Sequence, residues 1–395
     1  MQNKIIGRIL RRLRKHQFHQ KLDDSVNYPV RLLHKGNKKR KTVLFSYIPS
    51  PLLIQDPNSL TGHSNKWESR EIANIFFELG YDVDAISWTD FDFVPDRKYD
   101  VIFDICYNLS RLQQFFGKDT IKLLHNTGSA PEYQNQAEAR RVAEVNKRKN
   151  GNYVAKRMVK NSHQAIESIE LADHISLIGN EYTLSTFPQE IQKKINLVTV
   201  SASDIGANMK TVNNFVPSAR EFLWYFGSGA VHKGLDRVLE VFSIHPELTL
   251  NVIGNVAVES DFIEIYKDEL YNRNNIHYHG YLLPTSQEFH TIINRVFCFI
   301  APTCSEGIST AVATCLQIGL FPIISHDTGI SLPDNYGIYL ETSEIAEIEN
   351  AVLHSYNMRY SELEDQIIKI QQVALTQYTR DKFTKDMKEY FQRIL

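Results

Sequence analysis

The sequence is poor in cysteine and contains no long apolar run. Its four cysteines show no C-x-x-C spacing, and three stand in or beside apolar segments: Cys106, Cys298, Cys304 and Cys315. Such cysteines are typical of a reduced protein core and argue against a disulfide framework or a cysteine metal site. No apolar run approaches the roughly 20 residues of a membrane span, and the first residues lack a secretory pattern. We therefore expect a cytoplasmic protein.

Strong net charge is also missing, although the charges are unevenly placed. The formal net charge is −2, but residues 1–41 hold 13 Lys and Arg against two Asp. The rest of the chain has 31 basic and 44 acidic residues. A nucleic-acid-binding domain carries basic stripes on its folded surface, so we expect no nucleic-acid partner. With 395 residues, 43% of them hydrophobic, the chain is long enough for two domains with separate cores.

The first 15 residues have the pattern of a basic amphipathic helix. Their apolar residues fall on one helical face: Ile5, Ile6, Ile9, Leu10 and Leu13. Basic residues fill most of the rest, which favours either an anionic membrane surface as partner or a solvated helix that packs on its own domain. Residues 34–41 look like a charged hinge. We therefore predict a leader and hinge over residues 1–41.

Short apolar segments alternate with helical patterns along the remaining chain. The predicted strands are 41–45, 82–87, 100–105, 121–124, 175–178, 222–226, 249–253, 276–279, 297–301 and 321–325. This alternation predicts doubly wound parallel sheets. The segment 204–221 has no periodic pattern, so we place a domain boundary there and predict domains over 42–205 and 206–378. The helix predicted over 134–148 is polar nearly all round, which fits a solvated face or an acceptor groove.

A ligand crevice is predicted around Glu306 and Gly307. These residues stand between the apolar strand 297–301 and a helix that ends at Gly319. In open α/β sheets ligands bind at the carboxyl ends of strands, and a helix N-terminus suits an anion such as pyrophosphate.

This segment resembles the donor-site signature of retaining GT-B glycosyltransferases of family 4, the group 1 glycosyl transferases. Glu306-Gly307 matches the start of the signature, and Gly319 with the strand 321–325 matches its end. Thr314 stands where the family has a second glutamate that contacts the nucleotide ribose. We hypothesise that the Thr314 hydroxyl takes over this contact. The resemblance extends over nearly all of residues 42–395.

The resemblance implies a fold and an activity. The GT-B fold has two Rossmann-like, doubly wound parallel-sheet domains that face a central cleft, and a last helix, here 379–395, that crosses back to the first domain. The implied activity is a retaining, metal-independent transfer of sugar from a nucleotide-sugar donor, with no cofactor. The implied acceptor is a glycan or a lipid-linked glycan in cell-surface polysaccharide assembly, at the inner face of the membrane.

The resemblance also assigns site residues. Lys233, in a strand–glycine-rich loop–helix context, is assigned to the donor diphosphate, as a point charge suits a phosphate. The family's companion arginine position is Ser228, so we expect backbone amides to carry more of the phosphate contact. Those amides belong to the loop residues Gly227, Ser228 and Gly229.

The remaining site residues are assigned less directly. His125, which follows an apolar strand, corresponds to the family's histidine near the transferring sugar, or else caps its strand. Tyr281 stacks on the nucleobase, or is an exposed loop tyrosine. Glu306 is assigned to the sugar hydroxyls. The other assignments are a loop over the donor phosphates (Gly62, His63) and signature amides for sugar or phosphate (Gly307, Ile308, Ser309).

Two alternatives are considered, the first also an enzyme and the second a protein of a different class. One is a metal-dependent GT-A transferase whose ligands are Asp82 and Asp84, or Asp90 and Asp92. The other is a non-catalytic sugar-nucleotide or glycan-binding protein whose donor site has decayed at Ser228 and Thr314.

Overall fold

A computed structural model describes residues 29–35, 39–60, 62, 64–203, 209–211, 214–333 and 335–395. The predicted helix within residues 1–15 lies outside these ranges. So do His63 and the predicted domain boundary between residues 205 and 206.

The first sheet has seven strands in the order β1-β3-β2-β4-β5-β6-β7. Their bounds are β1 Val30–Leu32, β2 Thr42–Tyr47, β3 Asp82–Ser87, β4 Val101–Asp104, β5 Ile121–Asn126, β6 His174–Ile178 and β7 Ile195–Val198. All neighbouring pairs are parallel except β1 with β3. The central strands are buried apolar runs, as a parallel sheet covered on both faces requires.

The edge strand β1 lies inside the stretch that we assigned to a leader. It pairs antiparallel with β3, with Val30 opposite Ala85. Just after β1, the His34 amide donates a hydrogen bond to the Asp82 carboxylate at 3.0 Å. The first sheet therefore begins before residue 42, because this short segment has its own partners on β3.

The second sheet has six parallel strands in the order β10-β9-β8-β11-β12-β13. Their bounds are β8 Glu221–Tyr225, β9 Leu250–Ile253, β10 Ile276–Gly280, β11 Val296–Ala301, β12 Phe321–Ser325 and β13 Ile338–Leu340. The two sheets confirm the predicted α/β fold with two doubly wound, parallel-sheet domains.

Helices connect the strands and cover both sheets. In the first half they are α1 Ser64–Glu78, α2 Asn108–Leu112, α3 Pro131–Lys149, α4 Ser162–Leu171, α5 Glu181–Ser185 and α6 Gln189–Gln192. In the second half they are α7 Leu235–Ile244, α8 Ser260–Ile265, α9 Lys267–Asn272, α10 Gln287–Ile293, α11 Thr310–Ile318, α12 Ile345–Asn357, α13 Tyr360–Gln377 and α14 Arg380–Ile394. The helices α8 and α9 follow each other directly and are separated only by the fully buried Tyr266.

The last helix, α14, packs against the helix that follows the first sheet's β2. The ring of Phe383 lies 6.0 Å from that of Trp67, and the ring of Phe391 lies 4.4 Å from that of Phe76. The C-terminal end of the chain is thus attached to the first domain.

Within the described ranges, no helix is both long enough and apolar enough to cross a membrane.

Candidate active site

The carboxyl ends of the two sheets meet at Gly307. A side chain at this position would overlap the carbonyl oxygens of Ile178, at the end of β6, and Thr127, just beyond β5. Gly329, which follows β12 and has a φ of +65°, packs against Gly307 just as closely. Because crevices at the carboxyl ends of parallel strands bind ligands, this meeting point is the candidate site.

Lys233 and Glu306 form an ion pair in this site. The Nζ atom of Lys233 contacts Oε1 of Glu306, and the two side chains are only 8% and 15% exposed. Gly234 permits this arrangement, because its φ is +71° and a side chain there would overlap Pro302. The loop that carries Lys233 therefore lies directly on the loop that carries Glu306.

The surroundings of Lys233 stabilise its positive charge only in part. Burial lowers the pKa of Lys233, and the positive charge of nearby Arg157 lowers it further. The adjacent Glu306 carboxylate opposes this effect, because a negative charge favours the ammonium form. The Nζ atom also lies 5.3 Å from the ring centroid of Phe226. An anion with more negative charge than one carboxylate would therefore bind strongly to this ammonium group, because little water surrounds it.

His232 fixes the residue before Glu306 without carrying charge. Its Nε2–H donates to the backbone carbonyl of Ser305 at 2.6 Å, which defines the tautomer because a carbonyl only accepts. Burial lowers the pKa of His232 to about 4, although Glu138 raises it. The imidazole is therefore neutral at neutral pH, and Lys233 is the cation next to Glu306.

Two hydroxyls in the same loop lack partners. Thr303 Oγ1 and Ser305 Oγ are buried, and neither has a hydrogen bond to any of the described residues. These two oxygens therefore have free hydrogen-bonding capacity next to Glu306.

Residues of the first domain hold the loop of Glu306 across the cleft. The Ser129 hydroxyl donates to the backbone carbonyl of Glu306 at 2.7 Å. Arg141, on α3, donates to the carbonyl of Pro302 at 3.0 Å. The cleft is therefore closed around the ion pair.

A cavity remains open beside the closed part of the cleft. Its volume is about 340 Å³, and it borders both Ile308 and Gly329. Its other walls include the loop after β6 and the end of the chain: Gly179, Asn180, Tyr378, Lys382 and Asp386. The space between the two sheets is thus accessible next to the loop of Glu306.

The glycine-rich loop is open at one end and occupied at the other. Gly227 is exposed, and a side chain built there would meet nothing within 4 Å. Gly229 and Ala230 instead donate their amides to the buried carboxylate of Glu259, at 2.5 and 3.1 Å. The predicted phosphate contacts thus have room at Gly227 and the half-buried Ser228, whereas the Gly229 amide already has an acceptor.

Two signature residues at and near the start of α11 already donate hydrogen bonds within the second domain. The Ser309 amide donates to the carbonyl of Thr328 at 2.8 Å. The Thr314 hydroxyl donates to the Thr310 carbonyl one turn earlier, also at 2.8 Å, and the residue is 1% exposed. Only the lone pairs of the Thr314 oxygen are left to accept a bond from a ribose hydroxyl.

His125 is fully buried in the first domain. Its Nδ1 atom lies 2.8 Å from Ser176 Oγ and its Nε2 atom 3.3 Å from Glu68 Oε1, so both ring nitrogens are engaged. Glu68 also accepts a hydrogen bond from Tyr47. The structure therefore groups His125 with polar residues of the first sheet and α1 rather than with the ion pair.

Gly62 and Tyr281 come from opposite domains. A side chain at Gly62 would lie 3.2 Å from Leu283, two residues beyond Tyr281, so the loop before α1 reaches the loop after β10. The Tyr281 side chain is 36% exposed. These loops thus form one part of the cleft wall.

The aspartates proposed as metal ligands in the GT-A alternative make contacts within the first domain. Asp82 binds the backbone just after β1. Asp84 is fully buried in a 2.7 Å ion pair with Arg97, and Asp90 accepts a hydrogen bond from the Asp92 amide at 3.2 Å. The part of the chain that the structure describes contains no group of three or more side chains arranged to hold a metal ion.

Sequence reasoning missed the contribution of α3. Its polar face is not simply solvated, since Glu138 and Arg141 are buried against the second domain. Glu138 accepts hydrogen bonds from the amides of Lys156 and Arg157, each at 2.8 Å, and lies 3.8 Å from His232. The density of charges on this helix is the only sequence signal for such a role, because its partners are far away in the chain.

Comparison with solved structures gives the class of this fold. Sucrose-phosphate synthase from Thermosynechococcus elongatus is 11% identical, with a TM-score of 0.59 over 90% of this chain and 99% of that chain. A glycosyltransferase from Rickettsia africae is 10% identical, with a TM-score of 0.56 over 90% and 98%. Anabaena HepE, solved with UDP and glucose, is 9% identical, with a TM-score of 0.54 over 90% and 100%. The chain has the GT-B fold, as predicted.

Neither the family models nor the curated proteins give a match to this sequence.

Proposed function

We propose that this chain is a retaining, metal-independent glycosyltransferase of the family 4 type. It transfers a sugar from a nucleotide-sugar donor to a glycan or lipid-linked acceptor, in cell-surface polysaccharide assembly at the inner face of the membrane. The observation that carries the proposal is the buried contact between Lys233 and Glu306 where the carboxyl ends of the two sheets meet. The GT-B fold and the solved complex of HepE with UDP and glucose support it.

Lys233 and Glu306 have different tasks in the proposed reaction. The bond from the anomeric carbon to the donor phosphate breaks, and a bond from the acceptor oxygen forms on the same face of the sugar. The proton of the acceptor hydroxyl passes to the leaving diphosphate. Lys233 stabilises the negative charge on that diphosphate, and Glu306 binds the sugar hydroxyls near the developing positive charge. No cofactor is required.

The first test is donor binding followed by turnover. A thermal-shift screen with UDP-, GDP-, ADP- and dTDP-sugars identifies the donor, since a bound ligand raises the apparent stability. Hydrolysis or transfer of that donor is then measured in Glu306→Ala and Lys233→Met. We expect a loss of about 100-fold or more in each, comparable to the loss of one preorganised charge. Glu264→Ala, an exposed glutamate on α8, is the control.

Two results would contradict this proposal. Activity that survives in Glu306→Ala would remove the assigned role of the carboxylate. Activity that disappears with EDTA would contradict metal independence.

One observation favours a second candidate, a non-catalytic sugar-nucleotide or glycan-binding protein. His125 is enclosed by Ser176 and Glu68, away from the ion pair. A binding protein needs no group there to assist the transfer. Donor binding without any hydrolysis or transfer, unchanged between wild type and Glu306→Ala, would favour this candidate.

A further inference from the structure

The side chain of Arg157 lies over the glycine-rich loop. Arg157 belongs to the segment that follows α3 in the first domain, and its side chain is exposed. Its neighbour Lys156 is paired with Asp261 at 2.6 Å, whereas no carboxylate among the described residues pairs with Arg157. Its planar guanidinium is free to bind the oxygens of an anion.

The backbone of Arg157 is fixed on both sides. Its amide donates to the buried carboxylate of Glu138, at 2.8 and 3.0 Å to the two oxygens, and its carbonyl accepts a hydrogen bond from Gln134. Burial alone would raise the pKa of Glu138, but the hydrogen bonds from the amides of Arg157 and Lys156 help to lower it. The side chain of Arg157 therefore starts from a well-defined position.

The stem of Arg157 lies on the loop that precedes Lys233. A side chain built at Gly229 would lie 2.6 Å from Arg157 Cγ and 3.0 Å from Cδ, so the absence of a side chain there is what admits the arginine. The Arg157 charge is close enough to Lys233 and His232 to lower the pKa of both. Cations from both domains thus lie at this loop, and among the residues that the structure describes only Lys233 has a carboxylate partner.

Space for an anion exists next to these cations. Gly227 has no neighbour within 4 Å of a built side chain, and Ser228 is half-buried and uncharged. Three carboxylates lie close to this loop, and each has a partner: Glu306 pairs with Lys233, and Glu138 and Glu259 accept hydrogen bonds from backbone amides. The loop that lies under the stem of Arg157 and leads to Lys233 therefore has room for an anion at its exposed end.

We propose that Arg157 binds the diphosphate of the nucleotide-sugar donor from across the cleft, together with Lys233. The planar guanidinium suits two phosphate oxygens at once, which the ammonium of Lys233 does not. The donor then bridges the two domains, because one cation comes from each. This inference rests on the proposed function and adds a binding residue to its site.

The test compares Arg157→Gln with Lys156→Gln, a matched loss of charge at the next residue. Calorimetry measures the dissociation constants of UDP, GDP, ADP and dTDP, and of the corresponding monophosphate of whichever binds most tightly. We expect Arg157→Gln to weaken diphosphate binding by about 10-fold or more and monophosphate binding by less than about 3-fold. Lys156→Gln should leave both within about 2-fold, and Arg157→Lys should recover part of the loss.

A double variant tests whether a guanidinium group supplied from a neighbouring position can replace that of Arg157. Residue 228 adjoins Gly229, on which the stem of Arg157 lies, so Arg157→Gln combined with Ser228→Arg should restore diphosphate affinity. If wild type binds the diphosphate and Arg157→Gln binds it equally well, this inference is wrong while the proposed function stands. If wild type binds none of the four diphosphates, the proposed function fails and the role of Arg157 fails with it.

Discussion

The hydroxyl of Ser129 donates a hydrogen bond of 2.7 Å to the backbone carbonyl of Glu306, across the cleft and 177 residues away in the chain. Ser129 precedes α3 in the first domain, whereas Glu306 lies beyond β11 in the second. A residue of one domain therefore sets the position of the carboxylate-bearing loop of the other.

Ser129→Ala should weaken donor binding. The substitution leaves the Glu306 carbonyl without this donor, which costs about 1–3 kcal/mol for a buried group. We expect donor affinity to fall by about 3- to 10-fold, because the loop of Glu306 loses its contact across the cleft. Ser185→Ala is the matched control, since Ser185 donates to the carbonyl of Tyr182 at the same 2.7 Å within one domain. Equal affinities in the two variants would show that the contact across the cleft has no effect on the site.

Gly307→Ala should push the carboxyl ends of the two sheets apart and lower the stability of the protein. The new methyl group would overlap the carbonyl oxygens of Ile178 and Thr127, neither of which is a flexible side chain. Overpacking of this kind costs about 1–3 kcal/mol, so we expect a lower thermal midpoint and weaker donor binding. Gly117→Ala is the control, because a side chain there would lie 3.6 Å from Thr120, an ordinary contact. An unchanged thermal midpoint in Gly307→Ala would mean that the two domains adjust freely at this point.

Most of the fold could be predicted from the sequence because its strands are short apolar runs with clear ends. The strands β3 and β12 have the predicted bounds, Asp82–Ser87 and Phe321–Ser325. Each follows a helix that ends at a glycine in the left-handed region, Gly80 or Gly319. The strands that prediction missed are β1, β7 and β13, which have three or four residues and are incompletely buried. Their pattern alone does not distinguish them from loops.

The site was less predictable, because its contacts join residues that are far apart in the chain. The strand–loop–helix pattern around Lys233 and Glu306 is local and is readable in the sequence. The position of Arg157 cannot be read from the sequence. It depends on the hydrogen bonds from its backbone to Glu138 and on the absence of a side chain at Gly229. No periodicity marks these partners. Arguments from spacing therefore find the loops of such a cleft but not the residues that reach across it.

The burial of the Asp327 carboxyl group should make stability depend on pH. The Tyr133 hydroxyl donates to Asp327 Oδ1 at 2.8 Å across the cleft. Burial raises the pKa of Asp327 from 3.8 to about 6, although Tyr133 lowers it. The folded state thus binds this proton more readily than the unfolded state. The contribution of Asp327 is most favourable below about pH 4 and is lost as the pH rises through about 6.

Comparison with Asp327→Asn isolates this effect, because asparagine does not titrate. We expect the difference in unfolding free energy, wild type minus variant, to decrease by about 1.4 kcal/mol from about pH 5 to about pH 7.5. Denaturant titrations of both proteins at several pH values measure it. A difference that stays constant or increases with pH would contradict the raised pKa of Asp327.

The hydroxyl of Thr314 should contribute to donor binding through its lone pairs. It donates to the Thr310 carbonyl, so a ribose hydroxyl would have to donate to it. Thr314→Val keeps the shape of the side chain and removes the oxygen, and we expect donor affinity to fall by about 3- to 10-fold. Thr314→Ser should retain most of the affinity. Ser243→Ala is the matched control, because Ser243 makes the same bond to a carbonyl one turn earlier, at 2.7 Å, within α7. If Thr314→Val binds the donor as tightly as wild type, the ribose contact does not exist, and the hydroxyl serves only its own helix.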